Sequence, residues 1–194
     1  MSSLTFERLD PANLDDRQVW REVFRGAPSF VFATEGRTPT DADADRLMDV
    51  VPEERTSEDV FIYAAYQGST LVGCVYLARN YPKLGEVNLV LLLLIERFQR
   101  GVLGIRCMRW IEQQALAWGC MRISGVADVP NDRASKFWHR LGFSEDRRLN
   151  LGGHVGETIV SFQQACLTTT GIAKLLGGEE SHSRGQWAEG DGPA

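Results

Sequence analysis

The stretch LLLLIERFQRGVLGIRCMRW, residues 91–110, constrains the fold more than any other part of the chain. It continues a strand predicted over residues 86–95, whose VLLLLI run is typical of burial on both faces, although such a run alone does not exclude a helix. A polar elbow with Gly101 and Gly104 follows, and apolar residues then recur every three or four positions until Gly119. The pattern predicts a buried strand, a glycine turn and an amphipathic helix in immediate succession.

The other segments alternate between strand and helix patterns. Thr40 is predicted as an N-cap because acidic residues follow it, and Pro52 lies just beyond the end of that helix. The sequence QGS, residues 67–69, separates two β-branched and aromatic runs, which is typical of a hairpin. The predicted strands are 4–9, the two arms of the hairpin within 60–78, 86–95, 121–126, an extended segment from Phe143 and 157–163. The predicted helices are 14–24, the segment after Thr40, 104–118 and 132–141.

Length and composition favour one domain. A chain of 194 residues with 43% apolar residues has enough material for one sizeable core. From Gly177 onward the sequence is polar and glycine-rich and ends in SHSRGQWAEGDGPA. Such a composition buries too little apolar surface to order itself. We therefore expect a single domain over residues 1–176 and a flexible C-terminal tail over residues 177–194.

Charge and cysteine usage narrow the function classes. The formal net charge is −5 and the pI is about 5.3, so nonspecific nucleic-acid binding is not expected, and small molecules or proteins are favoured as partners. The N-terminal segment carries acids where a signal peptide needs a basic and then an apolar run, and no run reaches the roughly 18 apolar residues of a membrane span. The cysteines lack a Cys-x-x-Cys pair, which argues against a zinc ribbon and favours reduced, buried thiols. We expect a cytoplasmic protein without a metal or a membrane anchor. The four cysteines are Cys74, Cys107, Cys120 and Cys166.

The elbow predicts an anion site. A strand that turns into a helix directs several backbone N–H groups at one point, and the helix N-terminus adds roughly half a positive charge. Arg97 and Arg100 add side-chain charge beside it. The alternative is that the glycines only permit a tight turn, because glycine motifs alone are weak signals. The segment matches neither the phosphate loop Gly-x-x-x-x-Gly-Lys-Ser/Thr nor the Gly-x-Gly-x-x-Gly of dinucleotide folds.

The order of these elements resembles that of a known family. Residues 60–143 resemble the GNAT superfamily of N-acetyltransferases: hairpin, long strand, Gln-x-x-Gly-x-Gly elbow, helix, strand, then Asn-x-x-Ala-x-x-hydrophobic-Tyr-x-x-x-Gly-Phe. The elbow here is QRGVLG, residues 99–104, and the second motif is NDRA, residues 131–134, with FWHRLGF, residues 137–143. The resemblance implies an α/β (α+β) fold with a mixed, mostly antiparallel central sheet of about six to seven strands, flanked by about four helices.

The resemblance also implies where acetyl-CoA is held as the acyl donor, with no metal. In the family the elbow amides cradle the pyrophosphate, and the preceding strand offers its N–H and C=O groups to the pantetheine arm where the strands splay. Asn131 matches an asparagine near the pantetheine, although a plain helix cap is the alternative. The cofactor-binding residues carried over are Leu92, Leu94, Gln99, Arg100, Gly101, Val102, Leu103, Gly104, Asn131, Ala134 and Phe137.

Three positions depart from the family pattern. Val102 replaces the first glycine of Gly-x-Gly, which is tolerable only with a negative φ and an outward side chain, and Gly101 is expected to take over part of the flexibility. Trp138 replaces a tyrosine that often protonates the leaving thiolate, and an indole N–H is far too weak an acid for that step. Asn88 stands where some members carry a glutamate base. Glu86, two residues earlier on the same strand face, is the candidate catalytic base, with a solvated strand-end carboxylate as the alternative.

The expected activity is direct transfer of an acetyl group from acetyl-CoA to a primary amine of a small molecule, because no Cys–His or Ser–His pairing signal supports a covalent intermediate. The alternatives are a degenerate acyl-CoA-binding protein and an enzyme that uses another donor such as aminoacyl-tRNA, against which the acidic chain argues. Phe30, Phe32 and Tyr81 are candidates for the acceptor wall and equally for packing. His139 and His154 are more typical of solvated side chains than of catalysts. The oligomeric state stays open between a monomer and a homodimer.

Overall fold

The computed structural model describes residues 3–52, 54–128, 132–150 and 158–164. These residues form one seven-stranded sheet in the order β1-β2-β3-β4-β5-β7-β6. All neighbouring strands are antiparallel except β4 and β5, which are parallel. The strands are β1 (Leu4–Leu9), β2 (Val60–Gln67), β3 (Thr70–Arg79), β4 (Glu86–Leu94), β5 (Arg122–Asp128), β6 (Ser144–Asn150) and β7 (Thr158–Gln164).

Five α-helices accompany the sheet within the described ranges. They are α1 (Leu14–Arg25), α2 (Pro28–Glu35), α3 (Asp41–Met48), α4 (Leu103–Ala117) and α5 (Asp132–Arg140). The mixed, mostly antiparallel sheet confirms the predicted fold class, with one helix more than the expected four. The additional helix is α2, whose sequence PSFVFATE has aromatic residues but no helical periodicity of charge. None of the described helices is both long and apolar enough to cross a lipid bilayer.

Charges join α1 to α3. Three arginines one helical turn apart on α1 face three aspartates one turn apart along α3 and its C-cap, because residues four apart share a helix face. The pairs include Arg21 Nη2 with Asp45 Oδ2 at 2.8 Å and Arg25 Nη2 with Asp41 Oδ2 at 2.5 Å. Thr40 caps α3 as predicted, since Asp43 accepts from the Thr40 backbone N–H at 2.8 Å in a capping box. The third arginine, Arg17, pairs with Asp45 and Asp49.

The core lies on both faces of the sheet. Under α1 and α3, Trp20 is fully buried, and its indole N–H donates to the Ala44 carbonyl at 2.8 Å. Under α4, Met108 and Ile111 pack on the opposite face. Strand β4 contributes to both clusters, with Val87 and Leu89 on the α4 side and Leu91 and Leu93 on the α1 side.

A β-bulge in β4 explains this change of face. Tyr76 of β3 lies opposite Leu91, and Leu77 lies opposite Leu89, so Val90 has no partner on β3. One extra residue reverses the alternation of side chains in the rest of the strand. The bulge therefore divides β4 into two halves with different roles.

Candidate active site

The central feature of the site is a gap between β4 and β5. The two strands pair from Glu86 with Arg122 to Leu89 with Gly125, and no further. Beyond that point β4 continues to Leu94 along β3, whereas β5 continues along β7. Among the described residues, the parallel strands thus separate at the bulge, and one edge of β4 has no strand partner beyond it.

The backbone of β4 faces this gap. The Ile95 N–H donates to the Val72 carbonyl on the β3 side at 3.0 Å. Because backbone groups of successive strand residues point to opposite edges, those of Leu92 and Leu94 point to the edge that β5 has left. The Gln99 side chain already donates to the Leu94 carbonyl from that side at 2.7 Å. Two of the predicted pantetheine contacts and one elbow residue therefore meet at this edge.

The elbow reaches α4 through one short turn and a residue in the left-handed region. A 3₁₀ turn, Glu96–Phe98, follows β4, and Arg100 then adopts a φ of +66°. Gly101 was expected to take over part of the flexibility of the missing glycine, and the residue in the left-handed region is its neighbour Arg100. A Cβ on Gly101 would meet nothing within 4 Å. Gly101 therefore leaves open space at the elbow.

Val102 has the negative φ and the outward side chain that a β-branched residue was expected to need at this position. Its φ is −79°, its side chain is 63% exposed, and it occupies the N-cap position of α4 without making a side-chain cap. The first amide bonded within the helix is that of Arg106, which donates to the Val102 carbonyl at 3.0 Å. The preceding amides, those of Leu103, Gly104 and Ile105, lie in the turn whose N–H groups have no intrahelical acceptor. The start of α4 is thus a helix terminus whose first amides have no intrahelical acceptor, an arrangement that favours an anionic group.

Exposed arginines surround this terminus. Arg97 and Arg100 are both exposed, and the Arg97 guanidinium lies 4.8 Å from the centre of the Phe98 ring. Arg97 belongs to the 3₁₀ turn before the elbow, and Arg100 belongs to the elbow itself. Among the described residues, no three His, Cys, Asp or Glu side chains are grouped so that they could hold a metal ion.

Gly104 lies where two elements come into close contact. A Cβ at this position would stand 3.1 Å from Phe137 Cε2 and 3.9 Å from Leu94 Cδ1. The absence of a side chain therefore lets the Phe137 ring of α5 approach the first turn of α4 beside the open edge of β4. Three predicted cofactor-binding residues are brought together here. Ala134 lies on α5, and Asn131 lies outside the described residues.

The candidate base Glu86 lies at the other end of β4. Its side chain is 7% exposed, and Arg122 Nη1 stands 3.4 Å from its Oε1. The alternative of a solvated carboxylate therefore does not describe its surroundings. Its neighbour on the same face, Asn88, donates to Ser124 Oγ at 3.1 Å. Glu86 and Val90 are four positions apart, a distance of about 13 Å along the strand, so the carboxylate lies well away from the bulge.

Trp138 is a core residue. It is 7% exposed, and its ring lies 5.3 Å from that of Phe137 and 5.0 Å from that of Phe143. His139, next along α5, is exposed, and its Nε2 lies 3.6 Å from Glu145 Oε1. His154 lies outside the described residues.

The described cysteines are unsuited to nucleophilic catalysis. Cys74, Cys107 and Cys120 are free, buried thiols, as predicted. Burial raises the pKa of Cys107 to about 12 and also raises the pKa of Cys74. A thiol in such surroundings stays protonated near neutral pH, and the reactive species is the thiolate.

The predicted acceptor wall divides into different environments. Phe30 is half-buried and packs edge-on against Phe24, with ring centres 6.1 Å apart, so it belongs to the core. Phe32 is 62% exposed on α2. Tyr81 lies in the β3–β4 turn, where its N–H donates to the Glu86 carbonyl at 3.2 Å.

Sequence reasoning missed the partners of these residues. The Arg122–Glu86 pair joins adjacent parallel strands, and a parallel register is not readable from a single sequence. The bulge at Val90 also left no signal, because every residue from Leu89 to Leu94 is apolar. The contact of Glu96 with α2 was missed for a similar reason, since it joins residues 67 positions apart.

The separating parallel strands and the helix N-terminus at the start of α4 match the fold that the resemblance to the GNAT superfamily implies. The model of the acetyltransferase (GNAT) family matches residues 20–143 of the chain. The chain therefore belongs to the GNAT acetyltransferase family. No curated protein sequence matches it.

Solved structures support the same fold. An acetyltransferase from Thermus thermophilus is 24% identical, with a TM-score of 0.67 over 86% of this chain and 100% of its own. The ribosomal-protein-S18-alanine N-acetyltransferase from Escherichia coli is 12% identical, with a TM-score of 0.61 over 86% of this chain and 97% of its own. The PaiA N-acetyltransferase from Thermoplasma acidophilum, in complex with coenzyme A, is 16% identical, with a TM-score of 0.56 over 82% of this chain and 98% of its own.

Proposed function

We propose that the protein transfers an acetyl group from acetyl-CoA to the primary amine of a small molecule by direct attack. The observation that carries this proposal is the gap between β4 and β5, which ends beside the N-terminus of α4. An extended amide-containing chain fits the strand edge, and a pyrophosphate fits the helix terminus. The pantetheine arm and the pyrophosphate of CoA thus each find groups of the required chemistry, at the edge of β4 and at the start of α4.

The elbow residues bind and orient the donor in this proposal. The amides at the start of α4 face the pyrophosphate, and Arg97 or Arg100 reaches the 3′-phosphate. Leu92 and Leu94 present strand N–H and C=O groups to the pantetheine arm. The absence of a Cβ at Gly101 leaves room for the phosphates. Acetyl-CoA brings the thioester, and this chain fixes the position and direction of the thioester.

Glu86 is the proposed base. The amine must lose a proton before or during attack, and Glu86 is a buried carboxylate on the same strand face as Asn88. We propose that a water chain past Asn88 connects it to the amine, because the carboxylate lies about 13 Å along the strand from the bulge. Trp138 supplies no proton to the leaving thiolate, so that proton comes from solvent or from the amine itself.

A thiol-release assay tests the proposal. Purified protein is incubated with acetyl-CoA and a panel of small primary amines, and free CoA thiol is measured with a colorimetric reagent. We expect amine-dependent thiol release and a rise in melting temperature with CoA alone. Peptides with free N-termini belong in the panel, since the Escherichia coli neighbour acts on an alanine of a ribosomal protein.

A second candidate is an acyl-CoA-binding protein without turnover. It is favoured by the burial of Trp138 in the core and by the engagement of Glu86 with Arg122. A CoA-dependent rise in melting temperature without thiol release over the whole panel would select this candidate. Transfer of the aminoacyl group from charged tRNA to the amine, with deacylated tRNA as the product and no release of CoA thiol, would select an aminoacyl-tRNA donor instead.

A further inference from the structure

The 3₁₀ turn Glu96–Phe98, which joins β4 to the elbow, is bonded to α2. Glu96 Oε1 accepts from the Ser29 N–H at 2.8 Å, and the Glu96 N–H donates to the Gly26 carbonyl at 2.8 Å. Two hydrogen bonds of opposite direction thus connect one residue of this turn to the junction of α1 and α2. Ser29 and Glu96 are 67 positions apart in the sequence.

The Glu96 carboxylate takes the place of a helix cap. Ala27 is the N-cap of α2 and has no side chain that can accept a hydrogen bond. A carboxylate at a helix N-terminus satisfies an unpaired amide and interacts favourably with the helix dipole. Because the acceptor is charged, the bond is stronger than one between neutral groups. The start of α2 is therefore stabilised by a residue of the 3₁₀ turn that leads into the elbow.

Close packing fixes the position of the junction between α1 and α2 relative to the end of β4. A Cβ on Gly26 would lie 2.9 Å from Ile95 Cγ2, so only glycine lets the end of α1 rest on the last residue before the elbow. Two further hydrogen bonds connect Glu96 through Gln99 to the edge of β4 at the gap. The Gln99 N–H donates to the Glu96 carbonyl at 3.1 Å, and the Gln99 side chain donates to the Leu94 carbonyl at 2.7 Å.

We propose that Glu96 is a positioning residue that couples the CoA loop to α2, so that occupancy of the loop fixes the acceptor side of the enzyme. The proposal rests on the proposed function. A ligand that orders residues 99–104 also restrains Glu96 through the Gln99 contact, and a restrained carboxylate holds the Ser29 amide more firmly. Phe32, one of the predicted acceptor-wall residues, lies one turn after Ser29 on α2 and is 62% exposed, so in this proposal its position depends on the cap.

Amide hydrogen exchange tests the coupling with coenzyme A as the probe. The variants are Glu96→Ala, which removes the carboxylate, and Glu96→Gln, which keeps an oxygen acceptor without the charge. Glu58→Ala is the control because Glu58 is an exposed carboxylate far along the chain, in the turn before β2. In the wild type, CoA should slow exchange in residues 99–106 and also at Ser29 and the rest of α2.

Without CoA, Glu96→Ala should raise Ser29 exchange about tenfold, the effect of losing one hydrogen bond to a charged group. With CoA, it should keep protection of residues 99–106 and lose protection of α2, and Glu96→Gln should lie between. Where turnover is measurable, KM for the amine should rise about tenfold, while KM for acetyl-CoA changes little. Glu58→Ala should match the wild type throughout.

Two results would overturn the coupling. One is equal protection of α2 by CoA in Glu96→Ala and in the wild type. The other is protection of residues 99–106 in the wild type with none in α2. If CoA protects neither segment and leaves the melting temperature unchanged, the proposed function fails and the coupling fails with it. An unaltered Ser29 exchange rate in ligand-free Glu96→Ala would separately refute the cap.

Discussion

The two halves of β4 differ in what lies along their edges. From Glu86 to Leu89 the strand is paired on both sides, and polar side chains extend the contact through Arg122–Glu86 and Asn88–Ser124. Beyond the bulge, β3 is the only partner of β4 in the part of the chain that the structure describes. The comparison shows that the gap opens where β4 loses its neighbouring strand β5. The polar groups that line this edge of β4 are therefore mainly backbone groups.

The open half is supported from one face by the charged helices. Leu91 and Leu93 pack in the same cluster as Trp20 and Met48, which belong to α1 and α3. The closed half packs instead under α4, through Val87 and Leu89. The open half therefore keeps its shape by packing against α1 and α3, although it lacks a strand on one edge.

The largest expected effect comes from closing the open half with a side chain. Gly104→Val places a Cβ 3.1 Å from Phe137 Cε2 and further methyl groups at the first turn of α4. CoA at about a hundred times its dissociation constant should stabilise the wild type by roughly 2.7 kcal/mol, a rise of about 5–10 °C in melting temperature. We expect no CoA-dependent rise in the variant, measured by thermal denaturation.

Ala117→Val is the matched control for Gly104→Val. It also adds a β-branch to α4, but at an exposed position in the last turn. It should lower stability by a few tenths of a kcal/mol and keep the CoA response. A full CoA response in Gly104→Val would show that the helix terminus is not where the phosphates bind.

A change in the closed half should affect chemistry and leave donor binding intact. Glu86→Gln removes the proposed base, and general base catalysis contributes about a hundredfold or more. We expect kcat to fall about a hundredfold while the dissociation constant of acetyl-CoA stays nearly constant, measured by thiol release and calorimetry. A pH–rate profile equal to the wild type in height and shape would remove Glu86 from the mechanism.

The elbow and the elements beside it show how much of the fold could be predicted from the sequence. The strand, the elbow and the helix after it were predictable because apolar periodicity and glycine punctuation are local signals. Val102 was correctly expected to need a negative φ and an outward side chain. Gly101 was expected to take over part of the flexibility, whereas the residue with a positive φ is Arg100, a conformation that is uncommon for residues other than glycine and that nothing in the local sequence marks.

Contacts between residues far apart in the sequence could not be predicted in this way. The bulge at Val90 depends on the register with β3, and the environment of Glu86 depends on the parallel neighbour β5. Neither partner is marked in the local sequence. The helix α2 was missed because its cap comes from Glu96 and not from a residue that precedes it.

Acid should loosen the helices that support the open half of β4. Hydrogen bonds from Arg37 and Thr40 hold the pKa of Asp43 well below its ordinary value. A lowered pKa in the folded state stabilises the protein above the unfolded pKa of about 3.9, and this contribution is lost as the pH falls below it. The melting-temperature difference between the wild type and Asp43→Asn should therefore shrink from pH 6 to pH 3. A constant difference would refute the assignment.

A smaller effect is expected from the aromatic cluster beside the gap. Trp138→Phe keeps a ring between Phe137 and Phe143 but removes volume from a site that is only 7% exposed. Stability should fall by about 1–2 kcal/mol, and kcat should change less than threefold because the indole N–H takes no part in proton transfer. Denaturant unfolding and thiol release measure the two quantities. A large loss of kcat in the folded variant would mean that Trp138 contacts the reacting groups.

The smallest effect is expected from removing residues 177–194, which we propose to be a flexible tail. The segment has five glycines and few apolar side chains, so it offers little surface to bury on any face. Truncation after residue 176 should shift the melting temperature by less than about 1 °C, with or without CoA, since no buried apolar area is lost. The same measurement tests the comparison of the two halves of β4. If truncation lowers the melting temperature by many degrees, the tail packs on the domain. If it instead strengthens the response to CoA, the tail covers the edge of β4 that β5 has left, and the open half is closed by the chain itself in the absence of ligand.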